Sequence, residues 1–300
     1  MTQVLSKSYE ECVKTAILVT YNHVPDFNTL EVICRNVQFL LIVDNNSNEK
    51  VVSSIKNYSE LHNNVYLVQN GYNLGISRAY NLAAQKAEEL QSDIMIFFDH
   101  DVVLEDKLFE EYRIAWNYLN RQDKNLGIIA PIVTDDVKLV GKSMFNRDKY
   151  STIISPISSG ILTPVKIFNL VGGYDPDLFV EFADYYYAYK VRKAEKNIYR
   201  INKVLILQVF EVKLKNKGFL ISQADYIIRL RSIVRLGLNN SNIFRTTLSV
   251  YNSRRKIELE RASVNLERKH PDTRRFLRVV RLLNKLEELS IELIEKLNKE

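Results

Sequence analysis

Cysteine is scarce in this chain: its 300 residues hold only Cys12 and Cys34. The two show no metal-type spacing, which excludes a disulfide-rich framework and a cysteine-built metal site. Reduced, structural thiols in a cytosolic protein are the expectation. Long apolar runs are missing as well. None approaches the ~18 residues that a membrane-spanning helix requires. The opening residues, MTQVLSKSYEECVK, lack the apolar stretch of a signal peptide. No internal repeat or low-complexity tract is visible. What is present has globular proportions, 46% hydrophobic and 26% charged, enough for one large core or for a domain with an appendage. A net charge of +6 suggests an anionic partner. It does not choose between nucleic acid, a membrane surface and a phosphorylated substrate.

The first hundred residues alternate two patterns. TAILVTYN (15–22), FLLIVDNNS (39–47), VYLVQN (65–70) and the run Ile94–Phe98 read as strands. Between them, FNTLEVICRNV (27–37), VVSSIKNYSEL (51–61) and ISRAYNLAAQKAEEL (76–90) read as helices. Strand–helix alternation with nearly all-apolar strands predicts an α/β fold, a mostly parallel sheet covered by helices on both faces. Three of the strands run into polar clusters: Thr20-Tyr21-Asn22, Asp44-Asn45-Asn46-Ser47 and Asp99-His100-Asp101. In open α/β sheets the ligand crevice lies beyond the carboxyl ends of the strands, so these clusters are expected to converge on one edge.

Further on, 104–119 reads as a helix and 126–134 as a strand, followed by a polar, loop-like stretch over 135–152. A helical VKIFNLVGG, a turn at Tyr174-Asp175-Pro176, a helix reaching to about 196 and a strand VLILQVF (204–210) follow. Strand signals then stop. DYIIRLRSIVRLGL (225–238) and the segment 249–270 are helical and basic, and 273–300 carries Leu282, Leu286, Leu289, Leu293 and Leu297 at helical spacing. A boundary near 215 is expected, between an α/β domain (1–215) and a helical tail (216–300).

VTYN, VDNNS, NLGISRAYN, FFDHD, SSG, GGYDPDLFVEFAD and the basic YIIRLRS follow one another in this order. Together they resemble the family 2 glycosyltransferases of GT-A fold, most closely a rhamnosyltransferase-like branch, over roughly residues 15–235. The resemblance implies a Rossmann-like, mostly parallel sheet flanked by helices, here with a C-terminal helical extension. It implies a nucleotide-sugar donor, a Mg²⁺ or Mn²⁺ cofactor and an inverting reaction.

Sugar transfer from a nucleotide needs a cation for the leaving diphosphate, a base for the acceptor hydroxyl and support for an oxocarbenium-like state. Residues i and i+2 of an extended segment point the same way, so Asp99 and Asp101 can share a hard cation that also takes substrate phosphates. The bland alternative is a solvated Asp-x-Asp turn. The resemblance gives Asp101 the more direct metal role and places Asp99 near the ribose. It makes Asp184 the catalytic base, with Glu181 as the second candidate. The alternative is that these carboxylates merely sit at a helix N-terminus. Thr20, Tyr21, Asn22 and Asp44 match nucleotide-holding positions, although 44–47 also reads as a plain turn cluster. Asn73 and Gly75 mark a loop before a helix, where Gly75 gives a backbone shape that a side chain would block. Arg78 either reaches a phosphate or is a solvated cation. Tyr174, Tyr185, Tyr186 and Tyr187 are candidate platforms for an acceptor sugar.

Two positions depart from the family pattern. Tyr186 stands where many relatives have a carboxylate after the base. Gln208 stands where many have a metal-binding histidine; its carbonyl coordinates more weakly than imidazole. The QxxRW signature of processive synthases is absent, so single-sugar transfer is expected. The acceptor would be a glycan or lipid-linked glycan in cell-surface polysaccharide synthesis. A degenerate homologue acting as a scaffold subunit is the other reading. For the tail, three readings stay open: contact of basic helices with the inner face of the cell membrane, homo-oligomerisation or partner docking through the leucine ladder, and a solvated cap. Nucleic acid is not expected, because the basic residues are interleaved with Glu258, Glu260 and Glu267 and no nucleic-acid motif appears.

Overall fold

The computed structural model describes residues 7–134, 137–143, 148–180 and 182–209, with Val264 and Arg268 beyond them. The chain separates into two units, Met1–Val209 and Phe210–Glu300, and every strand and helix named below lies in the first. The tail readings and Glu181 fall outside the described residues.

The alternation in the sequence becomes β1 (Lys14–Thr20), α1 (Phe27–Asn36), β2 (Phe39–Asp44), α2 (Glu49–Glu60), β3 (Val65–Gln69), α3 (Gly75–Glu89) and β4 (Ile94–Asp99). Then come a two-residue β5 (Val102–Val103), α4 (Lys107–Gln122), β6 (Leu126–Thr134), β7 (Tyr150–Thr152), β8 (Ile161–Pro164), α5 (Val165–Leu170), α6 (Ala183–Lys193) and β9 (Asn197–Gln208). One sheet holds all nine strands in the order β3-β2-β1-β4-β8-β6-β9-β5, with β7 alongside β9.

The half formed by β3, β2, β1 and β4 is parallel, as the alternating pattern demands. The other half is mixed: β8 runs antiparallel to β4 and β6, while β6 and β9 are parallel. Successive side chains of a strand point to opposite faces. All seven residues of β1 and all nine of β6 are buried, so both faces of the central sheet are covered. Trp116 and Tyr112 of α4 and Phe97 and Phe98 of β4 are among the largest fully buried side chains. The polar 135–152 stretch contains a strand that composition concealed: β7 pairs with β9 through Tyr150↔Ile201 and Ser151↔Arg200.

Local signals set the helix starts. Asp26 caps α1 by accepting from the Thr29 N–H at 3.0 Å, and Asn48 caps α2 by accepting from Val51 N–H at 3.2 Å. No side chain caps α3. The Phe179 carbonyl takes the Ile76 N–H at 2.6 Å instead, which fastens the loop before α6 to the start of α3.

Candidate active site

Register brings the polar clusters to one edge. Thr20 pairs with Asp44, and Val19 with Asp99, so the ends of β2, β1 and β4 are adjacent. Neighbouring strands lie roughly 4.8 Å apart, so the three strand ends span roughly 10 Å. Thr20 is fully buried and its hydroxyl donates to the His23 carbonyl. Tyr21 is 46% exposed and offers its ring to solvent. Asn22 has a positive φ of 53°. It takes the Asn48 N–H on its side-chain oxygen and gives its own N–H to Ser47. Thus the loops after β1 and β2 are tied into one rim.

Asp44 is the most telling residue of the rim. It is 1% exposed, and Oδ2 accepts from the Ser47 N–H at 3.1 Å. Its Oδ1 is buried with no hydrogen-bond partner. A buried carboxylate oxygen without a donor costs a desolvation penalty of about 1–3 kcal/mol. Such a group is expected where a ligand supplies the missing donor.

The loop ahead of α3 supports the rim from the side. The Asn73 side chain accepts from the Gly75 N–H at 2.9 Å. Gly75 has φ +75°, and a Cβ there would sit 2.5 Å from the Phe179 ring and carbonyl, so only glycine fits. Arg78 donates from Nε to the Pro176 carbonyl at 3.0 Å. This loop-pinning contact goes beyond either role expected from the sequence. Asn81 closes the same seam twice, donating to the Tyr174 carbonyl at 2.9 Å and accepting from the Tyr174 N–H at 2.8 Å.

Asp99 and Asp101 are both half-buried. Asp99 Oδ1 accepts from the Tyr80 hydroxyl at 3.3 Å, and its backbone N–H donates to Ser159 of the SSG segment at 3.4 Å. The short β5 pairs Val102 with Gln208, and the Val209 N–H bonds the Asp101 carbonyl at 2.7 Å. That ladder delivers Gln208 to the carboxylates. Its Nε2 lies 3.2 Å from Asp99 Oδ2 and 2.8 Å from Asp101 Oδ1. The His100 ring lies against His23, with centroids 4.6 Å apart. Among the described residues no three His, Cys, Asp or Glu side chains gather as a metal cluster. Two hard carboxylates are nevertheless a suitable donor set for Mg²⁺ or Mn²⁺, which take their remaining ligands from waters and substrate phosphates.

Asp184 sits in the first turn of α6, half-buried, with Oδ1 accepting from the Tyr185 N–H at 2.7 Å. The residue before the helix, Phe182, is left-handed at φ 64°. The hydroxyl of Tyr174 is fully buried and without a hydrogen-bond partner. Burial raises its pKa well above the ordinary 10.0, with neighbouring Tyr187 and then the charges of Asp184 and Asp99 adding to the effect.

The acceptor platform expected at 174 and 185–187 is corrected at 174, 186 and 187, while Tyr185 is half-buried. Tyr174, Tyr186 and Tyr187 are core residues, and Tyr174 stacks on Tyr187 at 4.6 Å. Tyr186 stacks on Tyr189 at 5.8 Å. In the same region the exposed apolar side chains are Phe179 and Val180. The sequence reading passed over Tyr80 and Asn81, although both lie in the quoted NLGISRAYN.

Comparison with known proteins bears on the family and the fold. Residues 16–126 match the family model described as Glycosyl transferase family 2. A curated relative, the dTDP-rhamnosyl transferase RfbF of Shigella flexneri, is 24% identical over 188 residues, covering 56% of this chain and 60% of that protein. Among solved structures, GalNAc-T7 with UDP, GalNAc and Mn²⁺ superposes with a TM-score of 0.55 at 12% identity, over 87% of this chain and 58% of that one. S. aureus TarS 1–349 with UDP gives 0.51 at 12% identity, over 91% and 90%. The mannosyltransferase PcManGT of Pyrobaculum calidifontis with GDP-Man and Mn²⁺ gives 0.50 at 15% identity, over 95% and 79%. Residues 16–126 thus match the glycosyl transferase family 2 model, and the sheet that carries them has the GT-A fold.

Proposed function

We propose that this chain is an inverting glycosyltransferase that moves a single sugar from a nucleotide-sugar donor, with dTDP-rhamnose as the leading candidate. The observation that carries the reading is the unpaired, buried Oδ1 of Asp44 on the same sheet edge as the Asp99–Asp101 pair. A nucleobase N–H supplies the donor that this oxygen lacks. Tyr21 stacks on the base, while Thr20, Asn22 and the Asn73–Gly75 loop shape the rim around the ribose. The similarity to a dTDP-rhamnosyl transferase favours thymine as the base.

Asp101, with Asp99, would hold a divalent cation whose charge offsets that of the leaving diphosphate. The nucleotide-bearing relatives crystallised with Mn²⁺ favour such an ion. Asp184 accepts the proton of the acceptor hydroxyl as its oxygen attacks the anomeric carbon. The bond from that carbon to the diphosphate breaks on the opposite face, which inverts the configuration. Glu181 remains the alternative base, and Arg78 remains a candidate phosphate contact. The acceptor is proposed to be a glycan or lipid-linked glycan of a cell-surface polysaccharide.

No helix among the described residues is long and apolar enough to cross a membrane. The proposed site of action is the cytoplasmic side, with the basic residues of 225–282 meeting anionic lipid. Co-sedimentation with anionic but not neutral vesicles checks that placement.

Calorimetric titration of nucleotides and nucleotide sugars, with and without Mn²⁺, tests the reading on the wild type and on Asp101→Ala. One nucleoside diphosphate should bind, and its binding should need both the cation and Asp101. Failure of every nucleotide to bind would shift the weight to a scaffold subunit, the second reading, which the substitutions at 186 and 208 motivate.

A further inference from the structure

We propose that the Gln208 amide is a latch: it holds Asp99 and Asp101 together when no cation is present, and a divalent cation must displace it to bind. The inference rests on the Asp-x-Asp pair being the cation site of the proposed transferase. It concerns a residue that the family pattern does not explain, because a glutamine stands where a metal-binding histidine was expected.

Three observations carry it. First, one nitrogen serves both carboxylates, at 3.2 Å from Asp99 Oδ2 and 2.8 Å from Asp101 Oδ1. An amide nitrogen has two hydrogens, one for each acid. Secondly, the orientation of the amide follows from its surroundings. Turning the carbonyl oxygen toward the pair would set three acceptors against one another with no donor among them. Thirdly, Gln208 is held in place, being 3% exposed at the end of β9 and opposite Val102 in the β5 ladder.

A cation held by Asp99 and Asp101 would compete with Nε2 for the same two carboxylate oxygens. Hydrogen bonds from a neutral donor to carboxylates are charge-assisted, and the one to Asp101, at 2.8 Å, is the shorter of the two. They also screen the repulsion between two like charges brought together on one edge. The protein's own side chain therefore ties the two carboxylates together. Binding of the ion has to break both bonds, and the oxygens of a bound diphosphate help by completing the ion's shell. Gln208 thus opposes binding of the bare ion and favours arrival of ion and nucleotide together.

The latch and a simple ligand role for Gln208 predict opposite signs. Mn²⁺ binding to the nucleotide-free protein is measured by electron paramagnetic resonance titration, on wild type, Gln208→Met and Gln208→Asn. Methionine keeps the length and packing of the side chain but has no N–H, and asparagine is one methylene too short to reach both acids. The latch predicts that both variants bind Mn²⁺ several-fold more tightly than wild type. It also predicts a larger rise in melting temperature when Mn²⁺ is added to the variants than to wild type. Weaker binding in the variants would make Gln208 a ligand and overturn the proposal, as would affinities equal to wild type. Should one variant fail to fold in chelator, the other carries the measurement. Nucleotide binding by the same proteins is read separately by calorimetry. A failed latch with intact nucleotide binding leaves the transferase reading standing, and absent nucleotide binding removes that reading whatever the Mn²⁺ ratio.

Discussion

Asp44, the proposed contact to the nucleobase, shows what such a role costs a fold. Its Oδ1 is buried and unpartnered, a deficit that the proposed base would make good. Asp44→Asn removes the charge and turns an acceptor into a potential donor facing the base N–H. Nucleotide affinity should fall by about 10–100-fold, the worth of a hydrogen bond to a charged group. The melting temperature of the nucleotide-free protein should stay level or rise, since an unsatisfied buried charge has gone. Calorimetry and a thermal melt on one preparation check both halves. Asp184→Asn should act differently: donor binding is retained, while kcat falls by on the order of 10²–10⁴-fold, the usual contribution of a positioned base. An assay of kcat alongside donor Kd separates the two residues.

At the scale of elements, the seam between α3 and the 173–180 loop places Asp184. Phe179 caps the helix, Arg78 holds Pro176, and Asn81 grips both backbone groups of Tyr174. Gly75→Ala adds a Cβ at φ +75° and against Phe179. It should destabilise the domain by about 1–3 kcal/mol, read by urea denaturation, and should lower kcat through the displaced loop. Asn81→Ala leaves two buried backbone groups short of a partner and should cost about 1–3 kcal/mol per unsatisfied group. This seam was only half legible beforehand. The need for glycine at 75 could be read from a turn before a helix. That α3 is capped by a carbonyl about a hundred residues away could not, because no local pattern encodes a cap supplied from elsewhere in the chain.

For the whole molecule, buried tyrosines set an upper pH limit. Tyr80, Tyr112 and Tyr174 are raised well above the ordinary 10.0 by burial, and Tyr9 and Tyr187 rise with them. In the unfolded chain each loses its proton near pH 10. Above that pH the folded state binds more protons than the unfolded state, so stability falls as pH rises. Their contribution is complete below pH 10 and is lost progressively as pH climbs toward the folded values. Tyrosinate absorbance and circular dichroism, followed together, should show these phenols ionising only as the fold is lost.

By itself the sequence determined the parallel half of the sheet. Apolar strands alternating with amphipathic helices have few other ways to bury both strand faces. It also determined that Thr20, Asp44 and Asp99 share an edge, because parallel strands of similar length end on the same side. Tertiary structure decided the rest. The antiparallel placement of β8 and the pairing of β5 with β9 depend on contacts far apart in the chain, which no period of 2 or 3.6 reveals. Those contacts bring Gln208 to two carboxylates more than a hundred positions earlier. They also send Tyr174, Tyr186 and Tyr187 into the core. Helical spacing alone cannot tell a buried aromatic face from an exposed one; only what packs against the helix makes that choice.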